Sequence, residues 1–340
     1  MNNPAARKTL WLVLAMVLAF HWTLAWSPAS AQGPAAAMME NPTAPPEEKK
    51  EEAAGEKKEE APTTCGPLIT DTCIPIEEHH ASMQVLWGLS FYPGNFSPNW
   101  RYVSAHGDFY TFNMPVKFTY GPTQNLETYI IAPFIVDWGN HVNLGAAGPN
   151  GERSAGYAGI GDITAVAKYL VTPADDTRQG VSLVGGVGWP SGHASNLNPR
   201  FLGQDAIGTG SFNFITGVNL YKWLKPLLLY SNIWLNSPVN LYTSNDDAVR
   251  SREYVTFNLA AEYPISKAWV LLVEMYSTWT WTNIYTPQGF QSPSTLLGIL
   301  PGVEYLINEK WYVSAGSAFD LVGKEGSRKY TPMFTVYYNF

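Results

Sequence analysis

From Ser82 onward, apolar or aromatic residues alternate with small or polar ones in runs of about ten to thirteen. Alternation with a period of two puts each set of side chains on its own face of a strand. Twelve such runs follow one another: 82–92, 109–120, 126–137, 158–172, 179–190, 208–221, 226–237, 251–263, 267–279, 294–306, 310–320 and 329–340. In VTFNLAAEY, Val255, Phe257, Leu259, Ala261 and Tyr263 share one face, and Thr256, Asn258 and Glu262 the other. In WVLLVEMY, Trp269, Leu271, Val273 and Met275 lie opposite Glu274.

The connections carry a second pattern. Long segments (93–108, 138–157, 191–207, 237–250 and 280–293) alternate with short ones (GPTQN, PADDTR, KWLK, PIS and INE). The last connection, 321–328, is of medium length. A soluble sandwich has no reason to alternate in this way. An up-and-down barrel in an outer membrane does, with short periplasmic turns and long outer loops. The expected fold is therefore all-β: a transmembrane antiparallel barrel of about twelve strands. An even strand number puts both ends of the barrel sequence on the periplasmic side. Lipid cannot solvate a charge, so apolar faces are expected to point out and polar faces in. Trp138, Trp189, Tyr221, Trp223, Tyr263 and Trp311 lie near strand ends and suit interfacial aromatic girdles, though some of them are expected inside.

Composition agrees. Charged residues make up 14% of the chain and aromatics 14%, against about 25% charged in a soluble domain. After the N-terminus there is no uninterrupted apolar run of ~18 residues, which argues against membrane helices. Residues 1–31 read as a signal peptide: Arg7 and Lys8, an apolar stretch from Leu10 to Phe20, and the small-x-small site Ala29-Ser30-Ala31. Its removal shifts the net charge from −7 to −9. Such a chain offers no basic stripe to nucleic acid. Residues 32–64 form a Pro, Ala, Glu and Lys linker without an apolar period, expected to be disordered. Its stretch 40–60 holds eight Glu and four Lys. It reads as a solvated spacer, or else as a docking arm for a periplasmic protein.

Residues 65–81 precede the barrel, 82–340. Cys65 and Cys73 lie eight positions apart in an exported chain, where a disulfide is the first expectation. A metal site would need more thiols or a histidine cluster, and only His79 and His80 are near. The polar strand faces supply Lys117, Asp162, Lys168, Glu262, Glu274 and Glu304 as lumen-lining candidates. They read either as a rigid, ion-paired wall or as a selectivity lining. An enzymatic reading fails for want of a triad: the mature chain's histidines lie outside the strand runs, and His193 has serine neighbours but no acid. GIGDI (159–163) and GTGS (208–211) are not phosphate loops, since no helix follows. Glycine there suits bending and close approach at the wall. No cofactor, metal or catalytic residue is called for.

Several segments carry a family resemblance. GIGDITAVAKYLVT (159–172), GVGWPSG (186–192), IGTGSFNF (207–214), VLLVEMY (270–276) and LPGVEYLINEKWYVSAG (300–316) resemble, in that order, motifs of the outer-membrane transporters of the MetA pathway of phenol degradation. Ser191 stands where that family usually has threonine. The resemblance covers 159–340 and implies an outer-membrane channel for small hydrophobic or aromatic solutes, akin to the larger fatty-acid and toluene channels. Those channels carry an N-terminal hatch, and 65–80, with Leu68, Ile69, Ile74 and Ile76, is placed to act as a short plug. The ending TPMFTVYYNF sets Phe334, Val336, Tyr338 and Phe340 on one face. It resembles the signal read by the barrel assembly machinery, so outer-membrane lipid and that machinery are expected partners.

Overall fold

A computed structural model describes residues 64, 66–173, 179–241, 249–281, 284–286 and 289–340. The signal peptide, the linker with its acidic arm, and Cys65 lie outside the described residues. Twelve antiparallel strands form the wall: β1 (Ala81–Phe96), β2 (Asp108–Thr123), β3 (Leu126–Asn140), β4 (in two pieces, Ala155–Ile160 and Ile163–Thr172), β5 (Gly180–Trp189), β6 (Ser211–Leu224), β7 (Leu227–Asn240), β8 (Tyr254–Pro264), β9 (Trp269–Thr280), β10 (Thr295–Leu306), β11 (Trp311–Lys324) and β12 (Gly326–Asn339). Each strand pairs with its sequence neighbour, and β12 pairs back onto β1 through Ser82↔Asn339 to Phe96↔Gly326, closing the sheet. Closure leaves no free edge for lipid to meet outside the upper piece of β4.

The expected runs and the observed strands match to within a few residues at most ends. One connection differs more. The medium segment 321–328 collapses to Glu325 between β11 and β12, in the left-handed region at φ 52°. Both strands run further than their alternation because β11 continues its ladder with β10, and β12 with β1, beyond the point where they leave each other.

Side chains sort as the lipid boundary requires. Ile130, Leu183, Phe214, Leu271, Val273 and Phe334 are exposed on the outer face, while Lys168, Glu262, Glu274, Glu304 and Thr335 are fully buried inside. Aromatic rings mark both borders. At the loop end, Phe319, Tyr330, Phe91, Tyr110 and Trp138 touch in sequence across five neighbouring strands, at centroid distances of 5.1, 5.7, 5.5 and 5.2 Å. At the turn end, Trp269 meets Tyr305 at 4.6 Å, and Trp311 meets Tyr338 at 4.5 Å. Tyr330 and Tyr338 stand eight residues apart on β12, or ~27 Å of strand. A tilt of about 40° reduces that to roughly 20 Å, of the order of the ~25 Å apolar band of such barrels. Trp189, Tyr263 and Trp311 are exposed near the borders, whereas Tyr221 is buried in the interior with Trp223 packed beside it.

Candidate functional site

The interior is not empty. The chain before β1 crosses it about halfway up from the turn end and bonds to strands on opposite sides. The wall residues that receive it sit four to six positions in from the turn: Lys117, Lys168, Asn219, Asn232 and Glu274. That is roughly 13–20 Å along the strand.

Glu274 on β9 makes the tightest anchor. Its two carboxylate oxygens accept the backbone N–H groups of Leu68 (2.7 Å), Ile69 (3.1 Å to each oxygen) and Thr70 (2.6 Å). Three successive amides facing one carboxylate form an anion nest, and charge-assisted bonds of this kind are about twice as strong as neutral ones. Across the lumen, Lys168 on β4 lies 2.9 Å from Glu127 on β3 and 3.8 Å from Asp71, and donates to Thr72 O at 2.9 Å. Asp71 also faces Lys117 at 3.7 Å and accepts from Asn219 Nδ2 at 2.8 Å. Glu127 accepts the N–H of Ile76 at 2.8 Å. Around Lys168 each charge meets an opposite one, as burial demands.

Apolar packing adds to these bonds. Leu68 and Ile69 pack against an interior cluster that includes Cys73, Leu228, Leu272 and Leu300. The inner face is therefore mixed rather than uniformly polar, because the wall residues that face this segment meet protein instead of water. Cys73 is fully buried with a free thiol, and the partner expected for a disulfide, Cys65, lies outside the described residues.

The six charged candidates do not form one set. Lys117, Lys168 and Glu274 touch the segment directly. Glu262 accepts from Tyr230 OH at 2.9 Å and lies in hydrogen-bond contact with Glu304, nearer the turn end. Tyr230 OH in turn meets Thr64 at 3.3 Å. Asp162 stands apart, at the break in β4. Ile160 is the last residue paired to β3 on the upper piece, and that piece has no partner strand on its other edge. The loop 190–210 covers the edge instead. Asp162 pins it, accepting from Gly192 N at 2.9 Å and from Thr209 N at 2.8 Å, with a further short bond from Thr209 Oγ1. Glycine is required where the loop's ends meet: a Cβ on Gly192 or Gly208 would stand 2.7 and 2.6 Å from the other's backbone. The sequence places Asp162 among polar strand residues. What it lacks is any local sign that the ladder breaks there.

His193 sits in this loop, its Nδ1 donating to the carbonyl of Asp205 at 2.8 Å and its ring stacked on Tyr157. These are structural contacts. Asp71, Glu127 and Asn219, central to the interior network, carry no separate sequence signal. Their role appears only once the preceding segment is placed inside.

No family model matches the chain, and no curated protein does. Among solved structures it is similar to an outer membrane channel from Pseudomonas putida F1, with 11% identity over 82% of this chain and 100% of that one, at a TM-score of 0.64. It is also similar to the CymD monoaromatic hydrocarbon channel (10% identity, 78% and 89% covered, TM-score 0.42) and to the Ralstonia pickettii toluene transporter TbuX (9% identity, 78% and 90% covered, TM-score 0.37). The first likeness is one of fold. Together with the closed sheet, the apolar outer face and the two aromatic borders, it makes this chain an outer-membrane β-barrel.

Proposed function

We propose that the protein is a channel for the passive passage of small, apolar or aromatic solutes across the outer membrane, with residues 65–80 as its resident plug and the short turns facing the periplasm. The observation that carries this reading is the broken wall at Gly161–Asp162. The plug obstructs a straight path toward the turn end. Above it, the upper piece of β4 borders only a loop, whose Ile207 lies close against Gly159 and Gly161. An apolar solute that enters at the loop end has a sideways route there that a polar solute would not take. The motif resemblance supports the same solute class, and the outer membrane channel of similar fold supports a channel.

Asp162 is the latch in this scheme. Asp162→Ala should leave the barrel folded, since no ladder bond depends on it, and should speed uptake of toluene or phenol into liposomes. Unchanged uptake of every solute would count against the lateral route. A panel of aromatic, fatty and polar solutes tests the channel itself. No uptake of any of them, with a stable periplasmic partner captured through 40–60, would favour the alternative reading, a structural barrel that holds a periplasmic protein through its acidic arm.

The C-terminus supplies a further expectation. Phe340 N donates to Ala81 O at 2.9 Å, and its ring meets Tyr338 and Phe118 across the closing seam. As an assembly signal, Phe340 should matter more to membrane insertion than to the fold. Its removal is expected to lower the yield of assembled barrel in the outer membrane while refolding in detergent proceeds. Equal membrane yield with and without it counts against the assembly role.

A further inference from the structure

We propose that the turn end of the wall between β6 and β11 selects anionic phospholipid headgroups, through lysines held at headgroup level by two turns of one design. The proposal takes from the reading above only that this end faces the periplasm, and it needs no solute passage. The turns are ISKAW (265–269), between β8 and β9, and INEKW (307–311), between β10 and β11. Ile265 N and Ser266 N both donate to Trp269 O, at 2.9 and 3.2 Å. Ile307 N and Asn308 N both donate to Trp311 O, at 3.0 and 3.3 Å. Ser266 Oγ accepts from Ala268 N and Trp269 N, and Asn308 Oδ1 from Lys310 N and Trp311 N. Turns that satisfy so many of their own backbone groups do not depend on bulk water.

The isoleucines at the tips are the feature that needs explaining. Ile265 is 57% exposed and Ile307 52%. Each lies two residues beyond an exposed tyrosine, Tyr263 or Tyr305, and Tyr305 meets Trp269 at 4.6 Å in the aromatic border. Two residues are about 7 Å of strand, or roughly 5 Å of depth at a tilt of about 40°. The headgroup layer is about 5–8 Å thick on each side of the hydrocarbon. The tips therefore end inside that layer, where an apolar side chain still meets lipid.

The charge at this level is basic. Lys267 and Lys310 stand exposed in the two turns, and Lys222 lies on β6 in the alternating set of the exposed Phe214. None of the three forms an ion pair among the described residues. Glu309 is the one acid in the two turns, while Glu262, Glu274 and Glu304 are fully buried in the interior. A lysine stem lies along apolar surface and carries its ammonium to the phosphates. Each lysine near an anionic lipid surface adds a several-fold preference for it, which a zwitterionic headgroup offsets with its own cation. A soluble protein would have to displace headgroups to reach tips that end among them, so the depth favours lipid as the occupant.

The test uses the full mature chain in vesicles that mix phosphatidylglycerol with phosphatidylcholine, one or the other brominated. Quenching of tryptophan fluorescence then reads which lipid surrounds the barrel. Phosphatidylglycerol should be at least about threefold enriched over its share of the mixture, and less so in about 0.5 M salt. Lys222→Gln, Lys267→Gln and Lys310→Gln together should remove most of that enrichment, in barrel shown to be folded by its heat-dependent gel shift. A nitroxide placed by Ile307→Cys, with Cys65→Ser and the buried Cys73 kept, should collide with oxygen from the lipid more than with an aqueous nickel complex. Equal retention of the two lipids, enrichment that survives the triple substitution, or a nitroxide open mainly to the nickel complex would each overturn the proposal. The last result would leave the tips to a soluble protein. Both leaflets hold the same mixture, so the outcome does not depend on how the barrel inserts. Solute uptake without lipid preference sinks this inference alone, and lipid preference without uptake sinks the channel alone.

Discussion

Deleting residues 65–80 is expected to raise single-channel conductance in planar bilayers several-fold. The segment occupies the middle of the lumen and reaches wall residues on β2, β3, β4, β6, β7 and β9. At the foot of the ladder two backbone bonds involve it, from His79 N to Gly121 O and from Gly121 N to His80 O. β1 is held by β12 and β2 through backbone pairs that begin at Ala81 and Ser82. Its removal exposes Lys168, Glu127 and Glu274 to water entering the lumen, and water solvates charges that hydrocarbon could not. The barrel should therefore persist, and the heat-dependent gel shift of a folded barrel checks that it does. Glu274→Ala should reproduce part of the effect by taking away the carboxylate that holds Leu68, Ile69 and Thr70. A conductance unchanged by the deletion would show that the segment does not obstruct the path, and the plug would have to be abandoned.

How much of this could be read from the sequence differs by level. The wall was legible because alternation is local: each strand declares its two faces, and lipid on one side leaves little freedom in assigning them. Strand number, closure and the alternation of long and short connections follow from that alone. The break in β4 was not legible. GIGDI alternates well enough to read as one strand, and the interruption arises from contacts with Gly192 and Thr209 some thirty to fifty residues away. The interior was legible only in part. Lys168 and Glu274 stand out as charges on strand faces. Their partners are Asp71 and the amides of 68–70, in a stretch with no period at all. The cysteine spacing points to a disulfide; Cys73 is a small buried residue within the segment itself, and Cys65 lies outside the described residues. Local pattern cannot reveal a segment whose conformation is set by the cavity it fills.

Lys168→Met should lower the stability of the folded barrel by about 3 kcal/mol or more, because removing one partner strands the buried charges of the others. The substitution keeps the volume and removes only the ammonium. Glu127, 2.9 Å away, then lacks its closest cation, and Asp71 retains Lys117 at 3.7 Å and the Asn219 amide at 2.8 Å. Thr72 O loses a donor as well. Guanidinium unfolding in lipid vesicles measures the loss, and a second readout tests its cause. If Lys168 acts by anchoring the plug, conductance should rise together with the fall in stability. Exchanging both members of the pair for apolar groups should recover much of the loss, since a buried ion pair replaced as a unit is often close to neutral. Lys168→Met combined with Glu127→Leu should thus be more stable than Lys168→Met alone. Additive losses in that cycle would mean the two side chains act independently, and that the anchor lies with Asp71 and Asn219 instead.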